Sequence, residues 1–240
     1  MRKALVIVAA VCAALGPVCG DAANARANRA SEQIVAAIAA PHRHAALPAP
    51  VPLADTVRVA MVTDVGEIDI DIDGRHAPAT AANFLRYVDL HRLDGASFYR
   101  AMRLPWGTPP NGLIEGGLSG DPHKVLPPVK HEPTNVTGIL NKAGAISMAR
   151  FAPGTATADF SILVSDQPGL DADPTAADPE RQAGFAAFGH VVSGMDVVRR
   201  IYDAPLSPTA GSGVLKGQML EHPVHIVTVR RVVLPSPPPG

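Results

Sequence analysis

Residues 56–73 read TVRVAMVTDVGEIDIDID. Val57, Val59 and Met61 recur at every second position, and Ile68, Ile70 and Ile72 alternate with Asp69, Asp71 and Asp73. A period of two places successive side chains on opposite faces of an extended chain, so each run is a strand with one face toward a core. Asp64-Val65-Gly66 between them is a turn signal, and the pair reads as a hairpin with one apolar and one acidic face. The acidic row followed by Gly74 also fits the opening of a calcium-binding loop. That loop closes with a glutamate at its twelfth position, which here is Thr80, and no helix precedes Asp69. The three aspartates are therefore read as a solvent-facing row.

Working outward, Pro78 suits the first turn of a helix, and Ala81, Phe84, Leu85 and Val88 follow at helical spacing to about Leu90. A second helix is predicted from Gly194 to about Asp203. Ser193 is its expected N-cap, Asp196 favours its positive end, and Met195, Val198 and Ile201 form the apolar stripe. Between the helices lie short strand-like runs broken by Gly, Pro and Asp: Ser97–Ala101, Leu113–Gly117, Ala145–Ala149, Phe160–Val164 and Ala187–Val192. Val224–Val233 closes the series. Many short strands with two helices predict an all-β fold, an antiparallel barrel or sandwich, over residues 56–234, followed by a frayed tail at 235–240.

The chain of 240 residues carries 21 Lys+Arg against 22 Asp+Glu, a formal charge of −1, which argues against a nucleic-acid binder. Met1-Arg2-Lys3 followed by an apolar run to Leu15 and small residues to Ala23 reads as a signal peptide over 1–23, with cleavage near Ala23 or Ala25. The run is too short for a comfortable membrane span. The protein is thus expected to be exported, and periplasmic in a two-membrane bacterium, with no membrane span after processing. Both cysteines, Cys12 and Cys19, fall in this segment, so the mature chain has no disulfide or thiol chemistry. Residues 24–55, rich in Ala, Arg and Pro, read as a linker. His42 and His44 could pair on a metal but read as part of the solvated linker, His123, His131, His190, His222 and His225 show no metal-ligand spacing, and neither a metal nor a cofactor is expected.

Five segments, in order, resemble the cyclophilin-type peptidyl-prolyl cis/trans isomerases. They are the hairpin followed by Ala77-Pro78-Ala79-Thr80-Ala81-Ala82-Asn83-Phe84, then Asp94-Gly95-Ala96-Ser97-Phe98-Tyr99-Arg100, Ile114-Glu115-Gly116-Gly117, Gly144-Ala145-Ile146-Ser147-Met148-Ala149, and Phe188 through Val198. The resemblance implies an eight-stranded antiparallel barrel capped by two α-helices, an isomerase acting on proline-containing polypeptides, and Arg100 as the catalytic residue. It also marks departures. Glu115 stands where the family has Gln, Ser161 where it has a pocket Phe, Gly169 for a frequent Trp, and Phe185 for a His. Asp159 replaces a Gln and Arg150 an Asn, while Leu170 matches a pocket Leu. The segment from Met102 to Asn111 is longer than in typical members and holds the single tryptophan, Trp106.

An X–Pro bond rotates slowly because twisting breaks amide resonance, a barrier of roughly 18–20 kcal/mol. In the twisted state the prolyl nitrogen gains a lone pair, to which a fixed arginine N–H can donate. Arg100 takes that role by its match to the motif. Glu115 either holds the Arg100 fork as a salt bridge or weakens its pull on the nitrogen. Leu113, Met148, Leu170 and Phe185 are expected to wall the proline pocket, with Ala149, Arg150, Asp159 and Ser161 around it. Trp106 either folds over the pocket or pins its own loop. The alternative activity is a proline-segment binding module with little turnover. A monomer is expected.

Overall fold

The computed structural model describes residues 53–119 and 121–232. The signal segment, the linker up to residue 52 and the tail at 235–240 lie outside the described residues. Eight strands close into one antiparallel barrel: β1 (Thr56–Thr63), β2 (Gly66–Asp73), β3 (Ser97–Arg103), β4 (Gly112–Gly117), β5 (Ala145–Met148), β6 (Phe160–Leu163), β7 (Ala187–Ser193) and β8 (Met219–Arg231). Their order round the barrel is β1-β2-β7-β5-β6-β4-β3-β8. Closure leaves no unpaired sheet edge.

The opening hairpin pairs in the register its alternation requires, with Val57 opposite Ile72, Val59 opposite Ile70 and Met61 opposite Ile68. All six are buried. On the outer face Asp71 accepts two hydrogen bonds from Arg58, at 2.7 and 2.9 Å. Leu53, placed in the linker by sequence, packs on the core, and Asp55 accepts from the backbone N–H groups of Gly74 and Arg75. The domain therefore begins a few residues earlier than its periodicity indicates.

Helix α1 (Pro78–Asp89) buries Ala81, Phe84, Leu85 and Val88. Its N-terminus has no side-chain cap of its own. Instead the distant carboxylate of Glu132 accepts from the backbone of Ala79 and Thr80 at 3.1 and 2.8 Å, satisfying N–H groups that a helix start leaves open. In the core Phe160 meets both Phe84 and Phe98 edge-on, with ring centroids 5.6 and 5.8 Å apart. That cluster fixes β6, and with it the outward-facing Ser161.

Two single-turn helices were not foreseen: α2 (Thr134–Thr137) and α3 (Pro179–Ala183). The second had a readable signal, since Asp178 caps it by accepting from Glu180 N and Pro179 occupies its first position. The last helix, α4 (Met195–Asp203), is capped differently from expectation. Ser193 belongs to β7, paired with Asp69, and the N-cap is Gly194 at φ 89°. A Cβ there would sit 2.3 Å from the Glu67 carbonyl oxygen, so only glycine fits the corner.

Candidate active site

Strand β3 carries a bulge at Tyr99. Phe98 pairs with Gly116 and Arg100 with Glu115, so Tyr99 and Arg100 together oppose one residue of β4. The extra residue returns Ala101 to the core beside Phe98 while Tyr99 and Arg100 both reach Glu115. The partner strand needs its two glycines. A Cβ on Gly116 would lie 2.7 Å from the Phe98 ring, and one on Gly117 would lie 2.5 Å from an Asp159 oxygen. Gly116 thus lets β4 lie close against the bulged strand, and Gly117 lets it lie close to Ala158 and Asp159 ahead of β6.

Arg100 Nη1 donates to Glu115 Oε2 at 2.5 Å, and Tyr99 donates its hydroxyl to Glu115 Oε1 at 3.0 Å. Burial, and then the neighbouring Glu115 carboxylate, push the Tyr99 phenol well above its ordinary range, so it stays protonated as a donor. On the other edge of the guanidinium, Nε and Nη2 both donate to Gln218 Oε1, at 2.9 and 2.7 Å. A guanidinium has five N–H bonds. Three are engaged here, and among the described residues one on each terminal nitrogen has no partner. The Arg100 and Glu115 side chains are 16% and 15% exposed, so these donors sit at a partly dry surface where a charge-assisted bond is strong.

From Glu115 a row of outward positions crosses the sheet through Ser161 on β6 to Ser147 on β5. Leu113, two residues from Glu115, shares its face of β4 and is 5% exposed. Beyond the row stands a second cluster. Phe185 N donates to the Leu170 carbonyl at 2.8 Å, joining those two residues, and the Arg150 guanidinium lies 4.6 Å from the centre of the Phe185 ring. Arg150 also donates to Glu180, to the Gly184 carbonyl and to the Phe151 carbonyl. Ala149 and Asp159 are joined by a backbone bond of 2.9 Å, and the Asp159 carboxylate accepts from Ser119 N.

Three of the expected site residues have surroundings the sequence does not show. Met148 faces inward and belongs to the core, because it pairs with Phe160 and shares its face. It underlies the sheet. The Arg150 side chain is 1% exposed and lies against the Phe185 ring. Trp106 is 65% exposed. Its loop is closed at the base by Asn111, which donates to the Trp106 carbonyl and accepts from Ser165 and Gln167. Gln218 was missed by sequence reasoning, as was the role of Tyr99.

The family model for "cyclophilin type peptidyl-prolyl cis-trans isomerase" matches residues 58–231, spanning both the Arg100 strand and the closing strand. The chain belongs to this family. Among curated cyclophilin relatives, it is 35% identical over 182 residues to a peptidyl-prolyl cis-trans isomerase of Acinetobacter baylyi, covering 74% of this chain and 86% of that one. It is also 35% identical over 150 residues to peptidyl-prolyl cis-trans isomerase A of Dickeya dadantii, covering 61% and 71%. A crystal structure of a Cryptosporidium parvum cyclophilin superposes with a TM-score of 0.56 at 16% identity, over 75% of this chain and 99% of that chain. The same protein solved in the presence of the dipeptide Ala-Pro gives 0.58. The expected eight-stranded barrel is the fold observed, and the activity is peptidyl-prolyl cis-trans isomerisation.

Proposed function

We propose that this cyclophilin accelerates X–Pro isomerisation in exported polypeptides, with Arg100 as the donor that stabilises the twisted amide. The observation that carries the reading is the guanidinium held along one edge by Gln218 and at Nη1 by Glu115, with two N–H bonds unengaged among the described residues. A donor already in place needs no reorganisation as the prolyl nitrogen loses conjugation, so its bond strengthens in the transition state alone. Glu115 acts as holder. Its second oxygen is occupied by the Tyr99 hydroxyl, which draws part of its charge away from Arg100. Leu113, Ser161, Leu170 and Phe185 form the proline side of the groove, with Ala149 and Asp159 at its rim. No covalent step and no cofactor enter. The basic, apolar and small-residue pattern of residues 1–23 supports export.

One feature favours a second reading, a proline-binding module with little turnover. Ser161 occupies the position beside Glu115 where the resemblance implies an aromatic residue, so the ring pocket offers less apolar surface. A protease-free assay on peptides with varied residues before proline separates the two. Turnover by the wild type, reduced about 10²- to 10³-fold in Arg100→Ala as for the loss of one transition-state donor, is the expected result. A folded wild type that binds these peptides without accelerating any of them would establish the binding module instead.

A further inference from the structure

Gln218 lies 118 positions from Arg100 and outside both strands of the catalytic motif, yet it supplies most of the guanidinium's anchoring. Its position follows from an irregularity in β8. Pairing with β3 jumps from Phe98–Val224 to Arg100–Met219, so the chain detours before rejoining the sheet. At the rejoining point Ala101 N donates to the Gln218 carbonyl at 2.9 Å, which seats Gln218 beside Arg100. The side-chain amide is then used at both ends. Oε1 receives Nε–H and Nη2–H of Arg100, while Nε2 donates to the Val214 carbonyl at 2.8 Å in the turn Gly213–Leu215. A carboxylate could accept from Arg100 but could not donate to Val214, and an aliphatic side chain could do neither.

We propose that Gln218 is a positioning residue for Arg100: it orients the guanidinium so that its two remaining N–H bonds present one fixed geometry to the substrate. The inference rests on Arg100 being the catalytic donor. A free arginine samples many rotamers, and each one not aimed at the prolyl nitrogen is unproductive. Holding the Nε edge removes that freedom without consuming the outward donors. The segment 213–218 therefore belongs to the catalytic apparatus, although it touches the chemistry through one amide.

The test compares Gln218→Ala and Gln218→Glu in the full chain, each alone and combined with Arg100→Lys, a lysine having no Nε edge to hold. Gln218→Ala should lower kcat about tenfold, the scale of a small misplacement of a catalytic group, with peptide KM nearly unchanged. Gln218→Glu should show a smaller loss of the same kind. In the Arg100→Lys background neither change should cost further activity. The Arg100 Nε–H resonance should exchange slowly with solvent in the wild type and rapidly in Gln218→Ala. Wild-type kcat in Gln218→Ala, or an equal loss in the lysine background, would overturn the proposal. An Arg100→Ala variant as active as wild type would instead defeat the underlying assignment of Arg100.

Discussion

Two arginines of the candidate site, Arg100 and Arg150, are partnered in opposite ways. Arg100 is met by side chains, Glu115 and Gln218, which engage three of its N–H bonds and leave two at a surface 16% exposed. Arg150 is met by the carbonyls of Phe151 and Gly184, by Glu180 and by the face of Phe185, and its side chain is 1% exposed. The first keeps donors at a partly exposed surface, as its proposed role requires, and the second is enclosed by its partners. Residue type alone does not separate the two; partners and accessibility do.

Removing the wall should be the larger structural loss. Arg150→Ala strips two carbonyls of a donor and Phe185 of its stacked cation, and should cost about 1–3 kcal/mol of stability. Peptide KM should rise while the chemical step at Arg100 persists. Denaturant melts and steady-state kinetics together check this, and a fall in kcat at unchanged KM would erase the distinction between the two arginines.

On the other side, Glu115→Gln tests whether the holder also restrains. Glutamine can accept from Arg100 and place its amine against the Tyr99 oxygen, which can accept, so the geometry survives while the negative charge is removed. Turnover should be retained or rise severalfold. A collapse of turnover in a folded protein would show that Glu115's charge is required to hold the fork.

Away from the groove, arginine pairing has a cost in acid. The Arg58 guanidinium hydrogen-bonded to Asp71, and that of Arg230 to Asp94, hold both carboxyls below the usual carboxylate range. A depressed folded pKa contributes stability that is present above the unfolded value of about 4 and is lost as pH falls through the folded value. The melting temperature should drop below about pH 4, and less steeply in Asp71→Asn. An unchanged slope would remove Asp71 from the acid response.

The smallest effect concerns Trp106. With Trp106 65% exposed and its loop closed at the base by Asn111, its emission should stay unchanged when a proline peptide saturates the site. Quenching would make it a lid and add a third element to the groove.

Much of the fold was legible because it rests on local pattern. The alternation of Ile68, Ile70 and Ile72 fixes both the strand and its buried face, and the spacing of Phe84, Leu85 and Val88 fixes α1. Arg100 and Glu115 were legible through motif resemblance, and the bulge that brings them together was not, since register is set by the partner strand. Gln218 was illegible for a related reason: its loop has no periodicity, and its value comes entirely from where β8 rejoins β3. Met148 alternates with Ile146 on the inner face of β5, whereas Arg150 lies past the strand end, where alternation stops and burial cannot be read from sequence.

The most direct test of the role of Arg100 separates catalysis from binding. Exchange NMR on a saturating X–Pro peptide measures cis/trans interconversion on the enzyme, and a titration gives Kd. In Arg100→Ala, interconversion on the enzyme should fall by about two orders of magnitude or more, with Kd changing far less. Unchanged interconversion on the enzyme, with only Kd weakened, would contradict the assignment and leave Arg100 as a binding residue.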